Sequence, residues 1–166
     1  RQQRDVDSTV FLRDLAKYFL QFEPGRQNLL HRLIRIIREG NRQCVLATTN
    51  YDMLLESVID TAELKFSYCG YPLPRNNLAL LKLHGSCHFL PDLGGGKLRG
   101  CKFAGNLGGN LDTRVRIAQI PEEVWKFLRE EDSLAPAIAM YAPGKQVLFS
   151  PRFVQEQQRH FREAAA

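Results

Sequence analysis

Two short segments place side chains that can do acid–base and ligand-binding chemistry directly after apolar runs. The first reads LATTNYD over residues 46–52, and the second reads LKLHGS over residues 81–86. An imidazole such as that of His84 can accept a proton near neutral pH. Glycine at position 85 lets the backbone turn sharply and lets a ligand approach closely. Together the two segments predict a ligand site.

The elements that must position these groups are two strands. Residues 43–48 hold an apolar run that is too short for a helix and typical of a strand buried on both faces, and residues 79–83 indicate a second buried strand. The carboxyl ends of parallel strands lie at one edge of a sheet, where open α/β sheets bind ligands. We therefore expect four polar residues to converge although the two segments are far apart in sequence: Thr49, Asn50, Asp52 and His84.

Other patterns supply flanking elements. Residues 1–42 predict a helical pair. The first helix is capped at Asp7 or Ser8, ends at Pro24 and Gly25, and carries apolar residues at helical spacing: Val10, Phe11, Leu15, Tyr18, Phe19 and Phe22. The second helix runs from about residue 26 to Gly40. Further helices are expected directly after Asn50, from Pro121 and over residues 151–166, with a short strand over 137–141. The glycine-rich residues 90–110 predict a flexible loop or a small hairpin.

Taken singly, each polar residue also has an ordinary structural explanation. His84 could be a structural hydrogen-bonding residue, and Asn50 or Thr49 could cap the following helix. Glu56 and Asp60, four residues apart on that helix, are expected to share a solvated face.

The composition limits the function classes. The chain has 166 residues and a net charge of +5, and most of this excess lies in its first fifty residues, interleaved with apolar positions. That pattern is typical of the solvated faces of amphipathic helices, so nucleic-acid binding is disfavoured. No apolar run is long enough to span a membrane, and no secretion signal is evident. Four cysteines without a CxxC pair indicate reduced thiols and a cytoplasmic protein.

The two segments resemble the sirtuin superfamily, whose NAD-binding domain carries a strand-end TQN-x-D motif and a strand-end HG motif. The sequences ATTNYDMLLE and KLHGS resemble most closely the prokaryotic sirtuin-like branch of antiviral defence proteins, many of which hydrolyse NAD. The resemblance covers roughly residues 43–166. It implies an α/β fold with a Rossmann-like parallel sheet flanked by helices, and an NAD glycohydrolase working in defence or stress response.

The resemblance also implies roles for single residues. Asn50 would hold the nicotinamide ribose and position the nucleophile, and His84 would be the general base. Thr49, Asp52 and Gly85 would bind NAD, with Asp52 near the nicotinamide carboxamide. The reaction is cleavage of the nicotinamide–ribose bond, in which positioning supplies much of the rate.

Departures from the family pattern limit the activity, the metal content and the extent of the domain that we expect. Thr49 stands where protein-deacylating sirtuins carry glutamine, which argues against deacylation. Their zinc module of two CxxC pairs is absent, so we expect no zinc and no other metal. The glycine-rich phosphate loop and the final strand are also missing. We therefore interpret residues 1–166 as one domain fragment, incomplete at both ends, with a helical pair over 1–42 and the motif-bearing part over 43–166, and expect it alone to bind NAD weakly or not at all.

Two alternatives remain open. The chain could be a non-catalytic sirtuin-like module that senses NAD or an ADP-ribose derivative, or a basic nucleic-acid-binding domain, for which affinity would fall steeply with salt. Expected partners are NAD itself and either a second copy or a fused effector or sensor domain.

Overall fold

The computed structural model describes residues 8–26, 28–40, 44–68, 78–101, 110–139 and 147–166. Within these ranges the chain is a mixed α/β protein with five helices and two small sheets, which confirms the predicted class at this level. The helices are α1 (Ser8–Phe19), α2 (Leu29–Gly40), α3 (Leu54–Thr61), α4 (Pro121–Glu130) and α5 (Pro151–Ala165). The strands are β1 (Val45–Thr48), β2 (Phe66–Ser67), β3 (Leu78–Lys82), β4 (Phe89–Asp92) and β5 (Arg114–Ile117).

The first sheet is parallel and has the order β1-β3-β2, so β3 is its central strand. Every residue of β3 is buried, as the sequence predicts. The prediction that β1 is buried on both faces is wrong, because Ala47 is exposed and the rest of the strand is only half-buried. The described residues pair β1 on one side alone, so it forms the edge of this sheet.

Helices cover the central strand. The apolar sides of α2 and α3 join β3 in one core, formed by Ile34, Val58, Ile59, Leu78 and Leu80. Helix α5 packs against β3 and β1 and buries Val154 and Gln157. None of the helices among the described residues is both long and apolar enough to cross a membrane.

The second sheet is an antiparallel pair of β4 and β5, with Phe89 opposite Ile117 and Asp92 opposite Arg114. The predicted glycine-rich loop over 90–110 therefore begins with a strand, and residues 102–109 lie outside the described part. Strand β5 was not predicted, although its residues alternate between exposed arginines and half-buried Val115 and Ile117.

The predicted strand over residues 137–141 is not part of the parallel sheet where it is described, over 137–139. This segment instead runs antiparallel to residues 84–89 after they leave β3, with an isolated bridge between Gly85 and Ile138. The Ala137 amide donates to the Phe89 carbonyl at 2.8 Å. Met140, Tyr141 and Lys145 lie outside the described residues.

The buried face of helix α1 differs in part from the face that its large apolar residues predict. Thr9, Leu12 and Ala16 are buried, whereas Val10, Phe11 and Tyr18 are exposed. Arg13 lies on the same side of α1, and its guanidinium donates through Nη1 to the Leu134 carbonyl at 2.7 Å and through Nη2 to the Leu128 carbonyl at the end of α4. Leu15 and Phe19, two residues of the predicted apolar side, are half-buried and pack against the same core.

Candidate functional site

The register of the parallel sheet brings the two predicted polar segments to one edge. Thr48 lies opposite Lys82, so Asn50 and His84 each stand two residues beyond this last register pair. The Leu83 amide donates to the Thr48 carbonyl at 2.9 Å, which extends the pairing past the strands. We call the five residues predicted from the sequence the strand-end site: Thr49, Asn50, Asp52, His84 and Gly85.

The first loop of the site presents two exposed side chains and one buried one. Thr49 and Asn50 are exposed. The prediction that either caps the next helix is wrong, because α3 begins only at Leu54. Met53 stands directly before the helix, and the buried Asp52 contacts its first turn, where Asp52 Oδ1 accepts a hydrogen bond from the Leu54 amide at 3.0 Å. The side-chain amide of Asn50 and the hydroxyl of Thr49 therefore lie open to a ligand.

Tyr51 joins the two loops of the site. Its carbonyl accepts from the Cys87 amide at 2.9 Å and from the Ser86 hydroxyl at 2.8 Å, and its own hydroxyl donates to the Ala139 carbonyl at 2.7 Å. Its ring centroid lies 6.4 Å from that of His84. Burial raises the pKa of Tyr51, so the hydroxyl remains a donor at neutral pH.

The second loop turns at Gly85, and the structure shows why glycine is needed there. Gly85 has a φ of +76°, and a Cβ at this position would lie 1.9 Å from the Ala137 carbonyl oxygen. The close approach is thus made by the chain's own backbone, while the NAD-binding role of Gly85 stays a prediction. The half-buried His84 next to it accepts a hydrogen bond at its carbonyl from the Ala139 amide at 2.8 Å.

A cluster of polar side chains, all buried except the half-buried Tyr68, lies among the same elements and was not expected from the sequence. We call it the buried cluster: Glu56, Tyr68, Lys82, Ser86 and His88. The expectation that Glu56 and Asp60 share a solvated face is wrong for Glu56, which is buried, whereas Asp60 is exposed. Glu56 lies on the side of α3 that meets β3, where its Oε1 is 3.0 Å from Lys82 Nζ.

The cluster continues as a chain of contacts from Glu56 to the strand-end loops. The Tyr68 hydroxyl lies 3.1 Å from Glu56 Oε1 and 2.7 Å from His88 Nε2. His88 Nδ1 is in turn 2.9 Å from the Ser86 hydroxyl. Burial, reinforced by Lys82, lowers the pKa of His88 well below its ordinary value, so the ring is neutral.

Lys82 connects the cluster to the strand-end site. It is fully buried, and its ammonium donates to the Asp52 carbonyl as well as contacting Glu56. Burial raises the pKa of Glu56, and the charge of Lys82 opposes that shift. One signal for this arrangement was present in the sequence, because a lysine inside the apolar run LALLKL needs a buried partner.

No protein-family model matches the chain, and no curated protein matches it. The assignment of these residues to a reaction therefore depends on their chemistry and geometry.

Metal binding has no support in the part of the chain that the structure describes. No group of three or more His, Cys, Asp or Glu side chains that could hold a metal ion occurs there. Cys44, Cys87 and Cys101 are free thiols, and Cys69 lies outside the described residues. Burial raises the pKa of the Cys87 thiol to about 12, which keeps it protonated. The expectation of no zinc stays a prediction.

Proposed function

We propose that the strand-end site is the nicotinamide side of an NAD-hydrolysing site, built on a Rossmann-like parallel sheet. The observation that carries the proposal is the register, in which Asn50 and His84 each follow the last paired residue of neighbouring parallel strands by two positions. This is the edge at which open α/β sheets bind nucleotides. The side-chain amide of Asn50 and the imidazole of His84 are groups of the kind that can bind a ribose hydroxyl and take a proton from an attacking water.

In the proposed reaction, the bond between the nicotinamide nitrogen and ribose C1 breaks, and its electron pair moves to the nicotinamide ring. The sugar passes through an oxocarbenium-like state, and water adds to C1. Asn50 holds the ribose and orients that water, and His84 takes the proton that the water loses. The products are nicotinamide, ADP-ribose and a proton. Fixed placement of the nucleophile supplies much of the rate.

Rigid support below the site favours this assignment. Hydrogen bonds from Ser86 and Cys87 to the Tyr51 carbonyl, and from Lys82 to the Asp52 carbonyl, hold the backbone directly after Asn50. The bond from the Leu83 amide to the Thr48 carbonyl holds the backbone before it. Sites that position a substrate need this kind of supporting layer, because a shift of about 1 Å is enough to lower a rate substantially.

The test is NAD hydrolysis by the full-length protein, measured as released nicotinamide. We expect His84→Ala and Asn50→Ala each to reduce the rate by about 100-fold or more. His31→Ala, on α2 and outside the site, is the matched control and retains activity. Hydrolysis that survives both site substitutions would contradict the proposal. A wild-type protein that binds NAD without turnover would instead support the sensor alternative.

A further inference from the structure

The buried cluster contains an unbroken series of four contacts that ends at the first loop of the strand-end site. Tyr68 lies between Glu56 and His88, and Ser86 lies between His88 and the Tyr51 carbonyl. From Glu56 to Tyr51, the distances between the contacting atoms are 3.1, 2.7, 2.9 and 2.8 Å. Each distance suits a hydrogen bond, so each contact needs one hydrogen. We call this series the polar row.

The polar row holds fewer hydrogens than it has contacts. The Tyr68 and Ser86 hydroxyls each carry one hydrogen, and a neutral His88 ring carries one more. Burial raises the pKa of Tyr68 and lowers that of His88, which keeps both groups in these states. The Tyr51 carbonyl only accepts, and so does an ionised Glu56. Three hydrogens therefore serve the four contacts while Glu56 is a carboxylate, and one contact lacks a hydrogen.

The charge of Glu56 decides which contact lacks the hydrogen. A carboxylate is the strongest acceptor in the row, so it takes the Tyr68 hydrogen, and the Tyr68 oxygen then accepts from His88 Nε2. His88 Nδ1 is left as an acceptor. The single Ser86 hydrogen is then divided between that nitrogen and the Tyr51 carbonyl. The ionised state of Glu56 thus weakens the bond from Ser86 to the loop.

We infer that uptake of one proton from solvent by Glu56 reverses the polar row and tightens the first loop of the strand-end site. The carboxyl then donates to the Tyr68 oxygen, Tyr68 donates to His88 Nε2, and His88 Nδ1 donates to Ser86. Ser86 gives its hydrogen to the Tyr51 carbonyl alone, while His88 stays neutral and changes tautomer. In the NAD hydrolysis proposed above, a tighter loop holds the attacking water more firmly, which adds regulation by pH to that site. Only this consequence rests on the proposed function.

The surroundings of Glu56 set the pH of the reversal. Among the described residues, it interacts with titratable groups of the elements packed around α3: Lys82 of β3, Tyr68 after β2, and Cys87 and His88 before β4. The exposed carboxylates of Glu23 and Asp60 line the same cavity. Burial raises the pKa of Glu56, and the charge of Lys82 opposes that shift. We therefore expect the reversal at a higher pH than the titration of an ordinary glutamate.

The tautomer of His88 is the direct readout. The full-length protein is labelled with ¹⁵N at the histidine ring nitrogens, and His88→Gln assigns the signals among the four histidines. The nitrogen shifts distinguish the two neutral tautomers from each other and from the cationic ring. We expect the hydrogen on Nε2 at about pH 9 and on Nδ1 at about pH 4.5, with the ring neutral throughout.

Variants identify the group that drives the reversal. In Glu56→Gln the side-chain amide donates to Tyr68 at every pH, so His88 should keep its hydrogen on Nδ1 even at about pH 9. Tyr68→Phe interrupts the row and should remove the pH dependence, and it decides the matter if Glu56→Gln does not fold. Glu163→Gln is the matched control, because Glu163 lies 3.5 Å from His160 in an exposed pair on α5. It should leave the His88 transition unchanged.

Three results would overturn the inference. The first is a wild-type tautomer that stays the same over the whole titration. The second is a pH-dependent tautomer that persists in Glu56→Gln or Tyr68→Phe, or that disappears in Glu163→Gln. The third is a His88 ring that becomes cationic, because the proton would then reside on the imidazole instead of on Glu56.

The loop itself gives a second readout. Tyr51 is the only tyrosine that an aspartate follows, so ¹³C-carbonyl tyrosine combined with ¹⁵N-aspartate selects its carbonyl signal. We expect this signal to move to higher frequency as the pH falls through the His88 transition, and Ser86→Ala to abolish the movement. A Tyr51 signal that does not move would overturn the inference. Both readouts are taken without NAD, so a lack of NAD hydrolysis would contradict the proposed function alone.

Discussion

The strand-end site and the buried cluster use polar groups in opposite ways, although Lys82 connects them. In the strand-end site, the side chains of Thr49 and Asn50 are exposed. In the buried cluster, Lys82 and Ser86 are fully buried and hydrogen-bond to backbone carbonyls of the loop above. The buried side chains support the backbone, whereas the exposed side chains are the ones that we propose contact the ligand. Substitutions in the two regions should therefore have separable effects.

The largest expected effect comes from breaking the buried ion pair. Lys82→Met leaves Glu56 as an uncompensated buried charge and removes the donor to the Asp52 carbonyl. We expect the free energy of unfolding to fall by about 3–5 kcal/mol, measured by urea denaturation. The double variant Lys82→Met with Glu56→Leu should recover part of this loss, because no charge remains buried. A loss below about 1 kcal/mol would show that Lys82 does not support the loop.

The next effect tests the turn that connects β3 to the buried cluster. Gly85→Ala places a Cβ on a backbone of positive φ and against the Ala137 carbonyl. We expect the free energy of unfolding to fall by about 2 kcal/mol or more. Gly94→Ala is the matched control, because Gly94 also has a positive φ of 61° but a Cβ there would meet no atom within 4 Å. Gly94→Ala should lower the free energy of unfolding by only about 1 kcal/mol. Equal losses in thermal or urea unfolding would contradict the close approach at Gly85.

A pH dependence distinguishes the buried cluster from the exposed site. In the unfolded chain His88 titrates near its ordinary pKa of about 6.5, whereas burial keeps it neutral in the folded protein well below that pH. Between these two pKa values the unfolded state binds more protons, so stability falls as the pH drops below about 6.5. The loss contributed by His88 approaches about 1.4 kcal/mol per pH unit.

His88→Gln isolates that contribution. Glu56, whose pKa burial raises, acts with the opposite sign and favours the folded state at acid pH in both proteins. We therefore expect the wild type to lose more stability than the variant between pH 6.5 and pH 5.5, by about 1 kcal/mol. Urea unfolding at several pH values measures the difference, and parallel curves would contradict a buried neutral histidine.

The smallest expected change in stability is at the exposed site. Asn50→Ala should alter the free energy of unfolding by no more than about 0.5 kcal/mol, because the side chain is exposed. The same substitution should reduce the proposed NAD hydrolysis strongly. A large loss of stability would place Asn50 with the supporting residues and remove the distinction between the two regions.

Sequence patterns were sufficient for elements that local signals define. The apolar run before His84 predicted β3, and Pro121 followed by two glutamates predicted the start of α4. The same reasoning could not locate the buried cluster. Helical spacing shows which residues share a face of α3, but the burial of Glu56 depends on Lys82 of a strand that follows later in the chain. Contacts of this kind are properties of the tertiary fold.

Side-chain size was only a partial guide to the buried face of α1. Of the large residues at helical spacing, Leu15 and Phe19 pack against the core, whereas Phe11 is exposed and the small Ala16 is buried. The buried side also carries Arg13, which hydrogen-bonds to the Leu128 and Leu134 carbonyls, and neither partner is visible in the helix's own sequence.

Those hydrogen bonds also constrain the order of folding. Arg13 and Leu134 are separated by 121 positions along the chain, so their contact closes a loop that spans most of the protein. During synthesis, α1 leaves the ribosome long before Leu128 and Leu134 have been made. Its buried side remains uncovered in the meantime, which makes it a surface for chaperones or for aggregation. Such late, long-range closure should also make folding slow for a chain of this size.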